Sequence, residues 1–440
     1  MSTLKATNIK NVSSGTNNIV LGENGGVVIS GLATVSNANV TGGTITGVST
    51  IGVTTLTVSN ANITGGTITG VSTVSSTAFS VNGNAYPSAG PLSNRNLIIN
   101  GAMQVAQRGT SSTTASYGSV DRFFAQAQNG AITHSQTAIT SGTPYDEGFR
   151  NVLRMTNTTA NTAADAIRNP FQYIEAQNLA NSGWNYTSSS SYVTLSFWVR
   201  SSVAQEFYGY LRTFDGTEQR YCFSLGSLSA NTWTKVTKVI PGNSNITIDN
   251  DNGTGLQVNI SPFWGTNFTD SGVSVDTWGA YASGTRTPDY TNTWAGTTDA
   301  TFDITGVQLE VGSVATPFEH QSYGDELRRC QRYYVDVLAG KSSNNTTICI
   351  GAQYNSSTAF GTIHLPVQMR TGPAIEVSNS SAYYRLYVNN SDVSVSTFLL
   401  DGASNARAVD IEASASATAG HASLFRTKNS AAILRLTAEL

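Results

Sequence analysis

Two stretches of seventeen residues, TVSNANVTGGTITGVST at 34–50 and TVSNANITGGTITGVST at 57–73, differ by one Val-for-Ile exchange and recur at a spacing of twenty-three. One such unit, 34–56, has as large apolar side chains only Val35, Val40, Ile45, Val48, Ile51, Val53 and Leu56. At about 1.5–3 kcal/mol for each side chain buried, these cannot offset the ordering of the backbone at about 1–2 kcal/mol per residue. A shared core must come from stacked neighbours or from identical chains wrapped together, and two clear copies are too few for a free-standing solenoid. Association in a homo-oligomer is the expectation. The alternative is a polar stalk without a packed core, which the Ser, Thr, Asn and Gly content also suits.

β-Branched residues are dense in the repeats, glycine recurs and no helical period is present, so the region is β or irregular. Its apolar positions at 45, 48, 51, 53, 56 and 58 mix steps of two and three. That pattern suits short strands wound about an axis and broken at the Asn-Val-Thr-Gly-Gly and Asn-Ile-Thr-Gly-Gly turns.

The full 440 residues leave room for two or three domains beyond the repeats. Charged residues make up 12%, the net charge is −3 and the Lys and Arg are scattered, so no nucleic-acid-binding face is expected. No apolar run approaches the roughly 20 residues of a membrane helix, and MSTLKATNIKNVSSG lacks the apolar centre of an export signal. Cys222, Cys330 and Cys349 form no CxxC pair and read as isolated packing thiols. No metal and no cofactor are expected.

Composition divides the chain. Residues 1–30 form a head containing the apolar NIVLGENGGVVISG, 31–85 the repeat shaft and 86–96 a Pro/Gly linker. From 97 to 318, strands such as YVTLSFWVRSS alternate Val193, Leu195, Phe197 and Val199 onto one face, and EFYGYLRTF, RYCFSLG and GLQVNISPF continue the pattern. Many short strands between Gly, Asn and Asp turns predict an antiparallel, jelly-roll-like β-sandwich. One short helix is predicted in 319–335, capped by Ser322 with Asp325 reciprocal and with Leu327, Cys330 and Tyr334 on one face. Strand patterns then run through 336–440, a C-terminal β-sandwich domain. The expected fold class is thus all-β.

Three stretches resemble phage tail-fibre proteins: NRNLIINGAMQVAQRGTS with GSVDRFF, at 94–111 and 118–124; ITGVQLEVGSVATPFEHQSYGDELRRCQRYY at 304–334; and HLPVQMRTGPAI at 364–375. The N-terminus and the glycine-threonine repeats are similar to fibre proteins of marine phages. Within 97–318, VTLSFWVRSS, NTWTKVT and DITGVQLE resemble carbohydrate-binding modules of the jelly-roll type. The resemblance implies an intertwined homotrimer on a virion, attached to tail, baseplate or adaptor proteins by its N-terminus, touching a host surface glycan and not inserting into a membrane. A Ser/Thr/Asn-rich β protein without an export signal, yet suited to an extracellular surface, agrees with a virion component.

Sugar recognition needs a flat apolar face for the pyranose ring and planar polar groups for its hydroxyls. The densest supply is PFWGTNFTDSGVSVDTWGAYASGTRTPDYTNTW at 262–294, holding Trp264, Trp278, Tyr281, Tyr290 and Trp294, the candidate ligand-binding residues. The structural reading for that segment is a cover over the sandwich end or a subunit seam. Trp198 in mid-strand is expected in the core and Trp233 is expected to pack. DNDNGTG at 249–255 suggests calcium, but its glycine arrives one position early for an EF-hand loop and Ile260 stands where the bidentate Glu belongs, so a hairpin turn is expected. Asp121 and Arg122 are expected to make an ion pair or turn hydrogen bond within the fold. His134, His320, His364 and His421 are dispersed. No GxSxG, zinc or phosphate-loop motif appears, and nothing selects a glycosidase pair from Asp215, Glu218, Asp276 and Asp289. No catalytic residue is therefore assigned. The expected function is a structural and adhesive fibre; the alternatives are a polysaccharide-cleaving tailspike and a purely structural capsid or neck fibre.

Overall fold

The computed structural model describes residues 93–338, 343–378, 380–402 and 404–440, with Pro91 and five short strands in the first ninety residues. The repeats at 34–50 and 57–73, and with them the wound shaft, lie outside the described residues. Two compact units divide the chain, Met1–Val74 and Ser75–Leu440. In the first, the apolar NIVLGENGGVVISG makes the strands Ile19–Leu21 and Val27–Ile29, antiparallel with Ile19 opposite Ile29, and Asn8–Ile9 adds a third.

The second unit is nearly all β, as its alternating patterns predict. Its first body is a sandwich of two antiparallel sheets. One orders the strands Thr234–Pro241, Tyr192–Ser201, Ala300–Val311, Asn151–Asn157, Thr133–Ala138 and Ser111–Ser112. The late strand Ala300–Val311 enters between two earlier ones, so this sheet closes only when the last part of the domain arrives. In the other sheet, Ile167–Glu175, Thr254–Ser261, Gln205–Thr213, Gln219–Leu228 and Thr277–Ala280 are successive neighbours, with Phe124–Gln128 and Phe263–Trp264 also paired to Ile167–Glu175.

Val193, Leu195, Phe197 and Val199 all enter the core between the sheets, where Ile174, Leu211, Phe223 and Val258 meet them. Gly209 has no side chain because a Cβ there would stand 2.5 Å from the Phe223 ring and from the Asn259 carbonyl oxygen. Trp198 points the other way into a smaller cluster with Phe149 and Val152, and Trp233 packs on its margin.

Glu319 accepts the backbone N–H groups of Asn94, Arg95 and Asn96, and Leu97 N–H joins the Leu309 carbonyl, so the chain is fastened where it enters the sandwich. Ser322 caps the helix Tyr323–Gln331 by accepting from Asp325 N–H, and Leu327 and Cys330 pack with Ile99, Val105 and Tyr333. Tyr334 does not belong to this face: the helix ends at Gln331 and Tyr334 opens the strand Tyr334–Asp336. The chain tightens there because Tyr333 N–H bonds the Cys330 carbonyl. Three further short helical turns, Thr143–Asp146, Ala176–Ala180 and Ser380–Tyr383, were not legible from periodicity. Among the described residues no helix is long and apolar enough to cross a membrane.

A seven-stranded and a three-stranded sheet form the second body around its own core, which includes Leu386, Phe398, Ile411, Phe425 and Leu436. The two bodies meet at a polar seam. Arg122, 1% exposed, pairs with Glu439, donates to the Tyr173 carbonyl and stacks on Tyr333 at 3.5 Å. Arg108 joins Glu439 and stacks on Tyr334. Buried Glu175 takes a two-pronged contact from Arg332 and a hydrogen bond from the Tyr333 hydroxyl. The 249–255 turn docks here too, Asn252 exchanging hydrogen bonds with Arg370 while Asp251 caps Gly253 N–H. Asp121 and Arg122 do not pair with each other; Asp121 accepts two hydrogen bonds from Gln107.

The seam's charges have opposite linkage signs. Burial pushes Asp121 up to about 6, against the hydrogen bonds of Gln107 and the charge of Arg108. Burial opposes the charge of Glu175 as well, but the hydrogen bonds from Arg332, Tyr333 and Gln177 outweigh it and hold that carboxyl low. Glu175 therefore contributes stability above the ordinary carboxylate range and loses it only as pH falls through its depressed value. Ionised Asp121 costs stability, and the cost disappears as pH falls through its raised value. His134 is pulled down by burial and runs the other way in the same window, so a difference between variants is the clean readout.

Asp121→Asn should be more stabilising, or less destabilising, at pH about 7.5 than at about 5, by an upward difference in melting temperature; equal effects at both pH values would refute the assignment. Arg122→Met should cost about 3–5 kcal/mol in urea unfolding because Glu439 and the Tyr173 carbonyl lose a buried partner. Removing the exposed Arg328, which faces Asp325, should cost under about 1 kcal/mol.

Candidate functional site

On the sheet containing Ile167–Glu175, every second side chain points away from the core, and cross-strand pairing assembles these into rows. Tyr173 is opposite Gln257, which is opposite Arg212. The next row runs Phe124, Phe171, Asn259, Tyr210. Phe124 stacks on Phe171 at 5.1 Å with a 19° interplanar angle, and Phe171 meets Tyr173 edge-on at 4.9 Å. The segment after Phe263–Trp264 returns over this face, where Phe268, Tyr281 and Tyr290 pack against Ile167, Tyr210, Cys222 and Trp264. What stays open is a cleft of about 330 Å³ with aromatic walls and with Gln257, Arg212 and Arg286 among its lining.

Buried amides hold the floor. Trp264 indole N–H donates to Ser261 Oγ, Ser261 Oγ–H to Asn169 Oδ1, Asn169 to Asn259 Oδ1, and Asn259 to the Tyr210 carbonyl. The returning segment is tied down by Arg286 N–H to the Phe268 carbonyl, Asp270 N–H to the Thr287 carbonyl and Tyr281 N–H to the Glu218 carbonyl. Gln257 lines the cleft, is 5% exposed, and its buried Oε1 has no hydrogen-bond partner. Arg212 is gripped by both oxygens of Glu218 and lies over the Tyr281 ring at 3.8 Å. Burial raises the Tyr173 and Tyr210 phenols, which therefore stay protonated at neutral pH. Ring faces with planar amide and guanidinium groups between them are the chemistry that packs on a sugar ring and meets its hydroxyls.

The structure separates the five aromatic residues expected from 262–294. Trp264 and Tyr281 line the cleft. Tyr290 supports it from beneath, its hydroxyl donating to the Tyr208 and Ser261 carbonyls. Trp278 lies on the opposite, core-facing side, paired with Tyr221, and its N–H bridges to the Pro241 carbonyl of the other sheet's edge. Trp294 is fully buried beside Phe302 with its N–H on the Thr301 carbonyl, so it has no face to offer a ligand. The carboxylates considered for hydrolysis are dispersed among separate partners: Asp215 accepts from Asp249 N–H, Glu218 holds Arg212, Asp276 holds Lys238 and Asp289 accepts from Thr269. Among the described residues no group of three His, Cys, Asp or Glu side chains is placed to hold a metal.

Phe124, Phe171, Tyr173, Tyr210, Gln257 and Arg286 were not singled out from the sequence. The available signal was aromatic alternation within strands, Phe171 with Tyr173 and Tyr208 with Tyr210, which reads equally as core. A larger depression of about 480 Å³ lies beside Asn94, Asn178 and Arg329, but its arginines are occupied, Arg95 with Glu310, Arg329 with Glu326 and Arg332 with Glu175.

No protein-family model matches the chain, and no curated protein matches it. Solved structures that it resembles include the enzymatically active domain of tailspike protein 4 of bacteriophage CBA120, at 12% identity and TM-score 0.26 over 49% of this chain. The matched part spans only 21% of that tailspike chain. A putative sugar-binding protein of Bacteroides thetaiotaomicron matches at 13% identity and TM-score 0.27, over 49% of this chain and 99% of that one. A family 22 carbohydrate-binding module of Clostridium thermocellum Xyn10B matches at 13% and 0.25, over 47% and 98%. Scores this low transfer no function to the chain.

Asn169→Ala removes one link from the floor's amide chain and leaves Ser261 and Asn259 short of partners. It should cost about 1–3 kcal/mol in denaturant unfolding and shift the Trp264 fluorescence. No loss of stability would show that the chain does not hold the floor.

Proposed function

We propose that this chain is an adhesive fibre protein that binds a glycan in the cleft between Tyr173, Gln257 and Tyr281. The observation that carries the reading is Gln257, a buried amide with an unmatched acceptor set among aromatic rings on a rigid sheet. A pyranose ring would lie against the Tyr173 and Phe171 side and donate a hydroxyl hydrogen bond to Gln257 Oε1. The lining side chains bind and orient; Glu218, which bonds the lining residue Arg212, is taken up by it.

The virion setting, the homotrimer and the attachment to a tail or adaptor protein through residues 1–30 belong to the same proposal. They are supported by the fibre-like segments and by repeats that cannot fold alone. So does the division into a head, a shaft at 31–85, a linker at 86–96, a sandwich at 97–318, a helical connector at 319–335 and a C-terminal domain at 336–440. A single sugar site near millimolar affinity corresponds to about −4 kcal/mol, and three copies on one fibre raise avidity by about 100-fold to 10,000-fold without a new contact.

A panel of host-surface polysaccharides, titrated with the full-length oligomer, should show saturable binding. Tyr173→Ala and Gln257→Ala should each weaken it by about 5- to 30-fold, the equivalent of 1–2 kcal/mol, while Trp278→Ala should act through stability alone. Release of oligosaccharides during incubation would replace the adhesin with a depolymerase, and no binding by a folded oligomer would leave a purely structural fibre. Sedimentation should give a species of three chains; a stable monomer would remove the multivalent mechanism.

A further inference from the structure

We propose that the cleft selects glycans carrying an anionic substituent, a carboxylate or a sulfate ester, and that Arg286 reads it. This rests on the glycan-binding reading above and names the class of sugar. Arg286 lines the cleft with its guanidinium 4.3 Å from the centre of the Trp264 ring and 4.7 Å from that of Phe268. Its backbone is pinned by the hydrogen bond to Phe268. The group is thus ordered before any ligand arrives.

Of the two arginines that line the cleft, Arg212 is paired with Glu218, and Arg286 has no counter-charge among the described residues. Arg122, Arg154, Arg200, Arg212 and Arg332 each hold a carboxylate. Arg168 has none, but carbonyl oxygens of Gln128, Ile167 and Thr159 take up its donors. Arg286 has neither, and its Nε is buried with no hydrogen-bond partner. An unpaired Nε is shared with Arg122 and Arg220; what Arg286 adds is that no carboxylate or carbonyl among the described residues takes up its other donors and that it lines the cleft.

Arg212 is cancelled by Glu218, and Arg286 has no ion-pair partner among the described residues, although Leu440, which bears the terminal carboxylate, also lines the cleft. Aromatic walls exclude water and strengthen the field of the cation, and a guanidinium fork matches a carboxylate or sulfate by paired hydrogen bonds. The unmatched Oε1 of Gln257, in the same cleft, would accept from a hydroxyl of the same oligosaccharide. A neutral sugar would satisfy Gln257 but leave Arg286 unpaired, and this difference is the basis of selection.

The test titrates the full-length oligomer with tetrasaccharides of polygalacturonate, of a sulfated galactan and of unsubstituted galactan. Binding of at least one acidic tetrasaccharide should be about tenfold or more tighter than the neutral one, with the advantage shrinking between about 50 and 500 mM salt. The two acidic arms show whether carboxylate or sulfate is preferred. Arg286→Gln should abolish the ratio of acidic to neutral affinity, while Arg286→Lys should retain part of it. Equal affinity for acidic and neutral sugars, or a salt-independent preference, overturns the inference while leaving glycan binding in place. So does an equal loss of both ligands in Arg286→Gln, which would make Arg286 a positioning residue. Binding of none of the three also overturns it, and the glycan reading then stands or falls on the host-polysaccharide panel. If Arg286→Gln does not fold, the wild-type salt dependence and the neutral comparison still decide.

Discussion

The buried guanidinium of Arg122 joins three parts of the second unit. It reaches Glu439 near the end of the C-terminal body, the carbonyl of Tyr173 in the sandwich, and the ring of Tyr333 just after the helix. A charge this deeply buried is tolerated only when paired and hydrogen-bonded, so the three elements are held in one arrangement or the cation is stranded. The cleft inherits that constraint. Tyr173 supplies one of its walls, and Leu440, which follows Glu439, also lines it and accepts from the Tyr117 hydroxyl.

The two faces of the cleft-bearing sheet use aromatic residues differently. Toward the core, Tyr221 and Phe223 are packed by apolar neighbours. On the outer face, Phe171, Tyr173 and Tyr210 alternate with Asn259, Gln257 and Arg212, so each ring sits beside a planar polar group. An outer face built only to be covered has no need of an amide without a partner. Gln257 and Arg286 each keep a buried polar atom without a partner, and both line the one cleft.

Strand patterns in the sequence were read most securely where one face is wholly apolar. Val193, Leu195, Phe197 and Val199 went to the core because period-two alternation has only one way to bury four large side chains. Ser322 was legible as a helix cap because its hydroxyl and the Asp325 N–H are brought together by local geometry alone. The aromatic candidates of 262–294 were harder. Composition marked the segment, but the fates of Trp264, Trp278 and Trp294 differ by which side of a sheet each reaches, and nothing within the segment encodes that.

The sequence by itself determined the all-β class, the main core-facing residues of the central strands and the capped helix. These follow from periodicity, local hydrogen bonding and apolar content, which need no knowledge of distant partners. Only the tertiary structure decided where the cleft lies. Its walls come from strands far apart in the chain, Phe124 beside Phe171 and Gln257 between Tyr173 and Arg212, and such neighbours are set by strand order and register. The same holds for Arg286: its charge is visible in the sequence, but that it stands on Trp264 without a carboxylate partner is a property of the folded chain.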